Sequence, residues 1–409
     1  MKDTNLLLSK IVEFRNKTLA FYSVSLPELV ETRNRRPTRV KIIAQEIIVK
    51  IWLFIHSFNV TRKLPKYIFL SKNFPDLMSI LPPSEVMIIG GRGELLLSIK
   101  KGYRFCWSAP IFYGFSLFIF SGKNKLYSAV ISSLRRMFTK EINKRYLILN
   151  NDSQPEGMTL SFGLQSISML NIVCVEHGII NFEPTRIKTL PEGESCQFNL
   201  LWDVSQKFFF KDDKNHASFV LGLPYEVSPP KNNCREVILV GDCGISSDSV
   251  RYFYMLSTFC RMYRILEAAG INVFYRPHPE DNIEYIRSVF SNVCNTNKSE
   301  LLAINKKIFI GYESSLIFEA GKFGHTTVGI DAIELVESKF FQHKDNRAFD
   351  VDFEVSSSDF ENLPALVLDI FDRSSSAAAD EDQNLKYRFY KCIKQIDQFQ
   401  STYQSDSLI

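Results

Sequence analysis

The sequence predicts an α/β protein of two domains, each on a largely parallel sheet, facing each other across a cleft. Three observations carry this expectation. The chain has 409 residues, too many for one ordinary domain and comfortable for two. Short apolar or β-branched runs alternate with helix-like stretches along most of it. The alternation then restarts near residue 229, behind the proline- and asparagine-containing connection GLPYEVSPPKNNCREVILVGDCG. The expected division is 1–228, 229–375, and a C-terminal helix with a polar tail over 376–409.

The first 65 residues read as mainly helical, with apolar residues at helical spacing from Ile42 to Phe58. Strand-like runs follow: KYIFLS from Lys66, EVMIIGG from Glu85, RYLILN from Arg145 and NIVCVEHG from Asn171. A helix is expected over Leu126–Lys144. After Pro229 and Pro230, residues 235–240 read as a buried strand, followed by a helix from Ser249 to Ala269. INVFYR, KIFIG and TTVGI continue the strand series from Ile271, Lys307 and Thr326. The segment 374–384 reads as a loop or helix start, Asn384–Ile396 as a terminal helix, and STYQSDSLI as a tail with little reason to be ordered.

Composition narrows the function classes. The hydrophobic fraction is 45%, enough for sizeable cores and too high for a disordered chain. Lys and Arg number 49 against 45 Asp and Glu, a net charge of +4 without the basic stripe of a nucleic-acid binder. The basic runs RNRRP (33–37) and SLRRMFTK (133–140) are short; they suit solvated surface, an acidic substrate or an anionic membrane face. None of the eight cysteines forms a CxxC pair, which argues against zinc and against a disulfide framework and favours a reducing compartment. The opening MKDTNLLLSKIVEFRNK does not read as a secretory signal. IIAQEIIVKIWLFIHSF is interrupted by Glu46 and Lys50, so a buried helix is expected there rather than a membrane span. SAPIFYGFSLFIF (Ser108–Phe120) is too short to span.

Chemistry concentrates where strands end. YRPHPE places Arg276 and His278 after a strand, with Pro279 suited to the first turn of a following helix, whose free N–H groups favour anions. His278 either serves a phosphate there or packs as a turn histidine. In KIFIGYESSLIFEAGKFG, Ser314 and Ser315 precede an apolar helix, as phosphate ligands or as helix caps, and Glu313 is suited to a ribose or a base amine. VEHGIINFEP brings Glu176 and His177 to a strand end before Gly178; both can accept a proton, and strand alternation lets only one face a given side. VGDCGISSDS offers Gly241, Ser246 and Ser247 to a nucleotide phosphate. IIGGRGE (88–94) misses the G-x-G-x-x-G pattern and lacks a convincing following helix. NNDSQPEG (150–157) reads as an acceptor loop with Asp152 as a second acid. There is no Walker A sequence, no G-x-S-x-G elbow and no close H-x-x-x-H pair.

The ordered set of EHG, HP and SS segments, over roughly residues 145–325, resembles bacterial sialyltransferases of the GT-B type, the polysialyltransferase and lipooligosaccharide sialyltransferase group. The resemblance implies two Rossmann-like domains, a CMP-sugar donor substrate, a glycan or glycolipid acceptor, and neither a tightly bound cofactor nor a metal. It implies a phosphate role for His278, helped by Ser314 and Ser315, and a base in the acidic motif. The family motif usually has two acids before glycine, and here His177 replaces one of them, leaving Glu176 or His177 as the base. Transferases of Kdo-type sugars and polyol-phosphate transferases of cell-surface polymers carry related His-Gly and HP-like segments; a Kdo, nucleotide-diphosphosugar or CDP-polyol transferase is the alternative, and a non-catalytic carbohydrate-binding protein is the other class. The implied pathway is envelope polysaccharide synthesis, lipopolysaccharide O-antigen or capsule. That places the chain in the cytoplasm, compatible with peripheral association with the inner membrane.

Overall fold

The computed structural model describes residues 2–25, 35–58, 63–139, 143–176, 195–210, 212–213, 215–226, 230, 232–241, 249–279, 281–312, 314–331, 350–373 and 384–406. Two helices come first, α1 (Lys2–Ser25) and α2 (Arg39–Phe58). Then follow β1 (Tyr67–Leu70), α3 (Pro75–Ser79), β2 (Val86–Gly90), α4 (Arg92–Lys101), β3 (Arg104–Trp107), α5 (Ala109–Ser121) and α6 (Asn124–Phe138). The first sheet is completed by β4 (Arg145–Leu149), α7 (Pro155–Leu164), β5 (Leu170–Val175), β6 (Phe198–Leu201) and β7 (Ala217–Val220). Its strand order is β3-β2-β1-β4-β5-β6-β7, every pair parallel.

The central strands β1, β2, β4 and β5 are buried at every position, because helices cover both faces. Such strands read as continuous apolar runs, which is why these four are legible in the sequence. The four-residue strands β3, β6 and β7 are not: β3 is half exposed, and the other two carry the polar Asn199 and Ser218 inside the sheet. One face packs Ile68, Leu147, Ile172 and Cys174 beneath α2, α5, α6 and α7. The other packs Tyr67, Phe69, Ile148, Val173 and Val175.

The second sheet comprises β8 (Asn232–Val240), β9 (Asn272–Arg276), β10 (Asn305–Gly311), β11 (Thr326–Asp331) and β12 (Phe353–Ser356). The helices among and after them are α8 (Ser249–Ala268), α9 (Ile283–Val289), α10 (Lys298–Ala303), α11 (Ser315–Lys322) and α12 (Leu363–Arg373). Its order, β12-β11-β10-β8-β9, is again all parallel. Val237 and Leu239 face one core and Ile238 and Val240 the other, so this sheet too is covered on both sides. Two Rossmann-like α/β domains of the kind seen in GT-B proteins are therefore present. The cores meet: Trp202 and Leu223, from beyond β6 and β7, belong to the same cluster as Ile238, Ile317, Phe318 and Phe323.

The last helix, α13 (Leu385–Asp406), returns to the first domain. Leu385, Phe389, Cys392, Ile393 and Ile396 recur at helical spacing and close the second face of the first sheet. The Arg388 guanidinium donates to the carbonyls of Leu221 (2.7 Å), Leu223 (2.9 Å) and Tyr225 (3.2 Å). Gly222 adopts φ 76°, and a Cβ there would lie 2.6 Å from Arg388 Nη1.

Four sequence expectations are corrected. The helix continues through Ser401–Asp406, where a disordered tail was expected, because the apolar spacing of its buried side carries on to Phe399, packed on the same core. A helix does follow Gly91, and the Glu94 carboxylate folds back to accept from the Gly91 N–H at 2.9 Å. A Cβ at Gly90 would run into Glu94, so the glycine admits an acid rather than a phosphate. The helix expected over Leu126–Lys144 runs from Asn124 to Phe138. Finally, α2 is not a buried helix. Val49 and Trp52 are buried, while most of its other apolar side chains face outward. Its polar residues Lys41, Gln45, Glu46 and Lys50 lie on two flanks between two apolar faces, so the sequence does not mark which face meets solvent.

Candidate functional site

In open parallel sheets, ligands gather beyond the strands' C-terminal ends, where the strand order reverses. In the second sheet that point lies between β8 and β10, and the packing there is tight. A Cβ added at Gly311 would lie 3.2 Å from the Val240 carbonyl oxygen. One at Gly241 would meet the Tyr275 hydroxyl at 2.7 Å and both the Arg276 oxygen and the His278 nitrogen at 3.0 Å. The Gly241 N–H donates to the Arg276 carbonyl at 2.8 Å, extending the β8–β9 ladder to its last rung. Gly241, Arg276 and His278 are thus gathered at one edge. Ser314 and Ser315 follow three and four residues beyond the end of β10, the other neighbour of β8.

The loop after β9 is built by an acid that the sequence reading passed over. The His278 N–H donates to Asp281 Oδ2 at 2.8 Å, and the Asp281 N–H returns to the His278 carbonyl at 3.0 Å. The H-P-E-D spacing is the signal, since an Asp three residues on can accept from the loop's first N–H. This loop, not a helix N-terminus, holds half-buried His278. The expectation for Pro279 is corrected: α9 starts at Ile283, and the Asn282 side chain takes the N–H groups of Glu284 and Tyr285 at 3.0 and 3.2 Å. The Arg276 guanidinium is bonded through Nη1 to the carbonyls of Cys294 and Thr296. The Ser314 hydroxyl caps α11 by accepting from the Leu316 N–H at 3.4 Å, and Ser315 opens the helix half-buried beside it. Glu313, Ser246 and Ser247 lie outside the described residues.

In the first sheet the order reverses between β1 and β4, and Glu176 lies one strand further on, at the end of β5. Glu176 is buried; its N–H donates to the Leu200 carbonyl at 3.0 Å, and its own carbonyl accepts from Trp202 Nε1 at 2.6 Å. Its carboxylate is felt at two thiols. Cys174 is held well above its usual value by contact with Cys196, by burial and by the charge of Glu176. Cys196 is pushed up to about 11, mainly by burial, with Asp152 and Glu176 adding to it. His177 lies outside the described residues. Asp152, expected in an open acceptor loop, is fully buried and accepts from the Ser195 N–H at 3.0 Å and hydroxyl at 2.6 Å. It holds the chain entering β6, because β4 delivers it inward. Burial raises the carboxyl of Glu156, in the first turn of α7, above the ordinary range.

At the reversal point itself stands a residue with no sequence signal. Ser71 ends β1 at φ 74°, the one non-glycine residue at positive φ among the described residues, and donates its N–H to Ile89 at 2.9 Å. Such a backbone costs about 1–2 kcal/mol and is held by its surroundings. A hollow lined by Phe253, Cys260, Arg264 and Tyr285 lies over α8, and another lined by Lys66, Glu85 and Arg145 opens at the opposite ends of β1 and β4. Neither carries a candidate residue. Among the described residues there is no group of three or more His, Cys, Asp or Glu able to hold a metal ion.

No family model and no curated protein matches the chain. Solved structures resemble it at low identity. A wall teichoic acid polymerase, TagF, in an H444N form with CDPG, is 11% identical, with 91% of this chain and 100% of that chain covered, at a TM-score of 0.44. The UDP-GlcNAc 2-epimerase of Methanocaldococcus jannaschii is 11% identical over 80% of this chain and 99% of its own, TM-score 0.45. The spinosyn rhamnosyltransferase SpnG is 12% identical over 74% and 92%, TM-score 0.36. At these values the likenesses carry nothing about donor, acceptor or reaction.

Proposed function

We propose that the chain is an inverting GT-B glycosyltransferase that moves sialic acid or a related ulosonic acid from a CMP-linked donor to a cell-surface glycan. One observation carries the reading: Gly241, His278, Ser314 and Ser315 follow the C-terminal ends of the three adjacent strands β8, β9 and β10, where the strand order reverses. A bare glycine backbone, an imidazole and a helix start with two hydroxyls suit a phosphate. The second domain would hold the nucleotide there, with Ser246, Ser247 and Glu313 contributing from their loops. Arg276, bonded to the Cys294 and Thr296 carbonyls through Nη1, would offer the phosphate its remaining guanidinium N–H groups.

The first domain would hold the acceptor. Its hydroxyl oxygen attacks the anomeric carbon as the carbon–oxygen bond to the phosphate breaks, and CMP leaves with the electron pair. Glu176 or His177 takes the hydroxyl proton, and attack opposite the leaving group inverts the centre. His278 and the α11 amides stabilise the charge that grows on the departing phosphate.

The test is calorimetric titration of the protein with CMP, CDP, UDP and GDP under one condition, repeated with His278→Ala. Selective CMP binding that weakens in the variant is expected. Preference for a nucleoside diphosphate would replace the donor class, and no nucleotide binding with retained glycan binding would favour the carbohydrate-binding reading.

A further inference from the structure

The outward side of α2 is apolar along its length. Val40, Ile43, Ile47, Ile51 and Phe54 are 52–77% exposed, and Ile48 and Ile55 are 40% and 49% exposed beside them. At 100° per residue all seven fall on one half of the helix. The opposite half, with Ile42, Val49, Trp52 and Leu53, packs on the first core. Single exposed apolar residues are ordinary, but a continuous stripe of seven marks an interaction surface. From Ile43 to Ile55 the stripe runs about 18 Å along the helix axis.

The charges around the stripe identify what it meets. Lys41 and Lys50 border it on opposite sides, and Arg35, Arg36 and Arg39 stand exposed at its N-terminal end. The single acid of α2, Glu46, is engaged by Lys50 at 2.8 Å and by Lys123 at 3.4 Å. The surface is therefore an apolar strip inside a cationic rim. A second copy docked by a two-fold axis would bring basic rim against basic rim. A lipid surface with anionic headgroups complements both parts at once. Spanning is not the mode: among the described residues no helix is long and apolar enough to cross a membrane.

We infer that α2 lies in the plane of an anionic bilayer, with Val40, Ile43, Ile47, Ile51 and Phe54 at the acyl boundary and Arg35, Arg36, Arg39, Lys41 and Lys50 on lipid phosphates. The inference is independent of the reaction the protein performs. The test is flotation of the full chain with vesicles of phosphatidylcholine, with and without phosphatidylglycerol. The wild-type chain floats with the anionic vesicles and much less with the neutral ones, and added salt releases it. Ile47→Gln, Ile51→Gln and Phe54→Gln together reduce the bound fraction about tenfold or more, with helical content and melting temperature unchanged. Arg35→Gln, Arg36→Gln and Arg39→Gln together remove the preference for phosphatidylglycerol. Should the triple apolar variant fail to fold, Ile51→Gln alone, one outward side chain, still weakens binding. A wild-type chain that stays below the vesicles, or apolar variants that float like it, overturns the proposal. So does a wild-type dimer in solution that these variants convert to monomer without any effect of lipid.

Discussion

The Trp202 indole N–H donates to the Glu176 carbonyl at 2.6 Å, and the same ring lies 25° from parallel with Phe318 of α11, centroids 6.4 Å apart. Trp202 therefore touches the end of β5 in one domain and the helix opened by Ser314 and Ser315 in the other. Lys322 of α11 adds an ion pair at 3.7 Å to Asp203, the next residue along. The two halves of the candidate site are referenced to one buried ring.

Trp202→Phe keeps most of the apolar surface and removes the donor, leaving the buried Glu176 carbonyl without it. The expected loss is about 1–2 kcal/mol in chemical denaturation. Under the proposed function, turnover falls while nucleotide affinity holds, because only the first domain's half is loosened. A variant with unchanged stability would show that the bond contributes nothing.

Gly241→Ala places a methyl against the Tyr275 hydroxyl, the Arg276 carbonyl and the His278 N–H. Two of these are backbone and cannot rotate away, so the His278 loop must shift. The expected cost is about 1–3 kcal/mol, with weakened nucleotide binding in the same titration that tests His278→Ala. Wild-type binding in Gly241→Ala would place the nucleotide elsewhere.

Arg388→Met keeps an unbranched apolar stem in place of the arginine's and removes the bonds to the Leu221, Leu223 and Tyr225 carbonyls. A loss of about 2–4 kcal/mol is expected, read by thermal or urea unfolding. Hydrogen exchange should rise in residues 221–226 and in α13 before it rises in the second sheet.

His325 gives a pH signature. Its Nδ1 accepts from the Lys307 N–H at 3.1 Å and its Nε2 donates to the Leu302 carbonyl at 2.9 Å, so the ring is neutral in the fold. Burial lowers its pKa from 6.5 to about 4. The unfolded chain takes up this proton first as pH falls. The contribution is therefore whole above pH 6.5, fades between there and about 4, and is constant below. Its full size is about 3 kcal/mol. His325→Gln should cost stability at neutral pH and show a flatter profile across that window in urea unfolding. Parallel profiles for the two proteins would contradict the buried neutral ring.

Much of the architecture was legible because fully covered parallel strands are uninterrupted apolar runs. YIFL, VMIIG, RYLIL and LNIVCV announce the first sheet, and EVILV, NVFYR and KIFIG the second. The alternation with helices and the restart near residue 229 followed from the same local chemistry. So did the placement of Gly241, Arg276, His278, Ser314 and Ser315 at strand ends, since polar and glycine residues after such runs mark where strands stop. Partnership was not legible. Nothing local in α13 says that its apolar side closes the first sheet, 22 residues of helix returning across the chain. Asp152 and Glu176 read alike as acids on loops, and only packing shows both buried near Cys196. Arg276 reads as a phosphate ligand, and nothing local shows that its guanidinium also bonds the Cys294 and Thr296 carbonyls. The apolar spacing of α2 predicted a helix, but which half meets the core is set by β-strands far along the chain. Local sequence fixes conformation through propensity and period; burial, pairing and exposure depend on what the remaining chain brings to the same place.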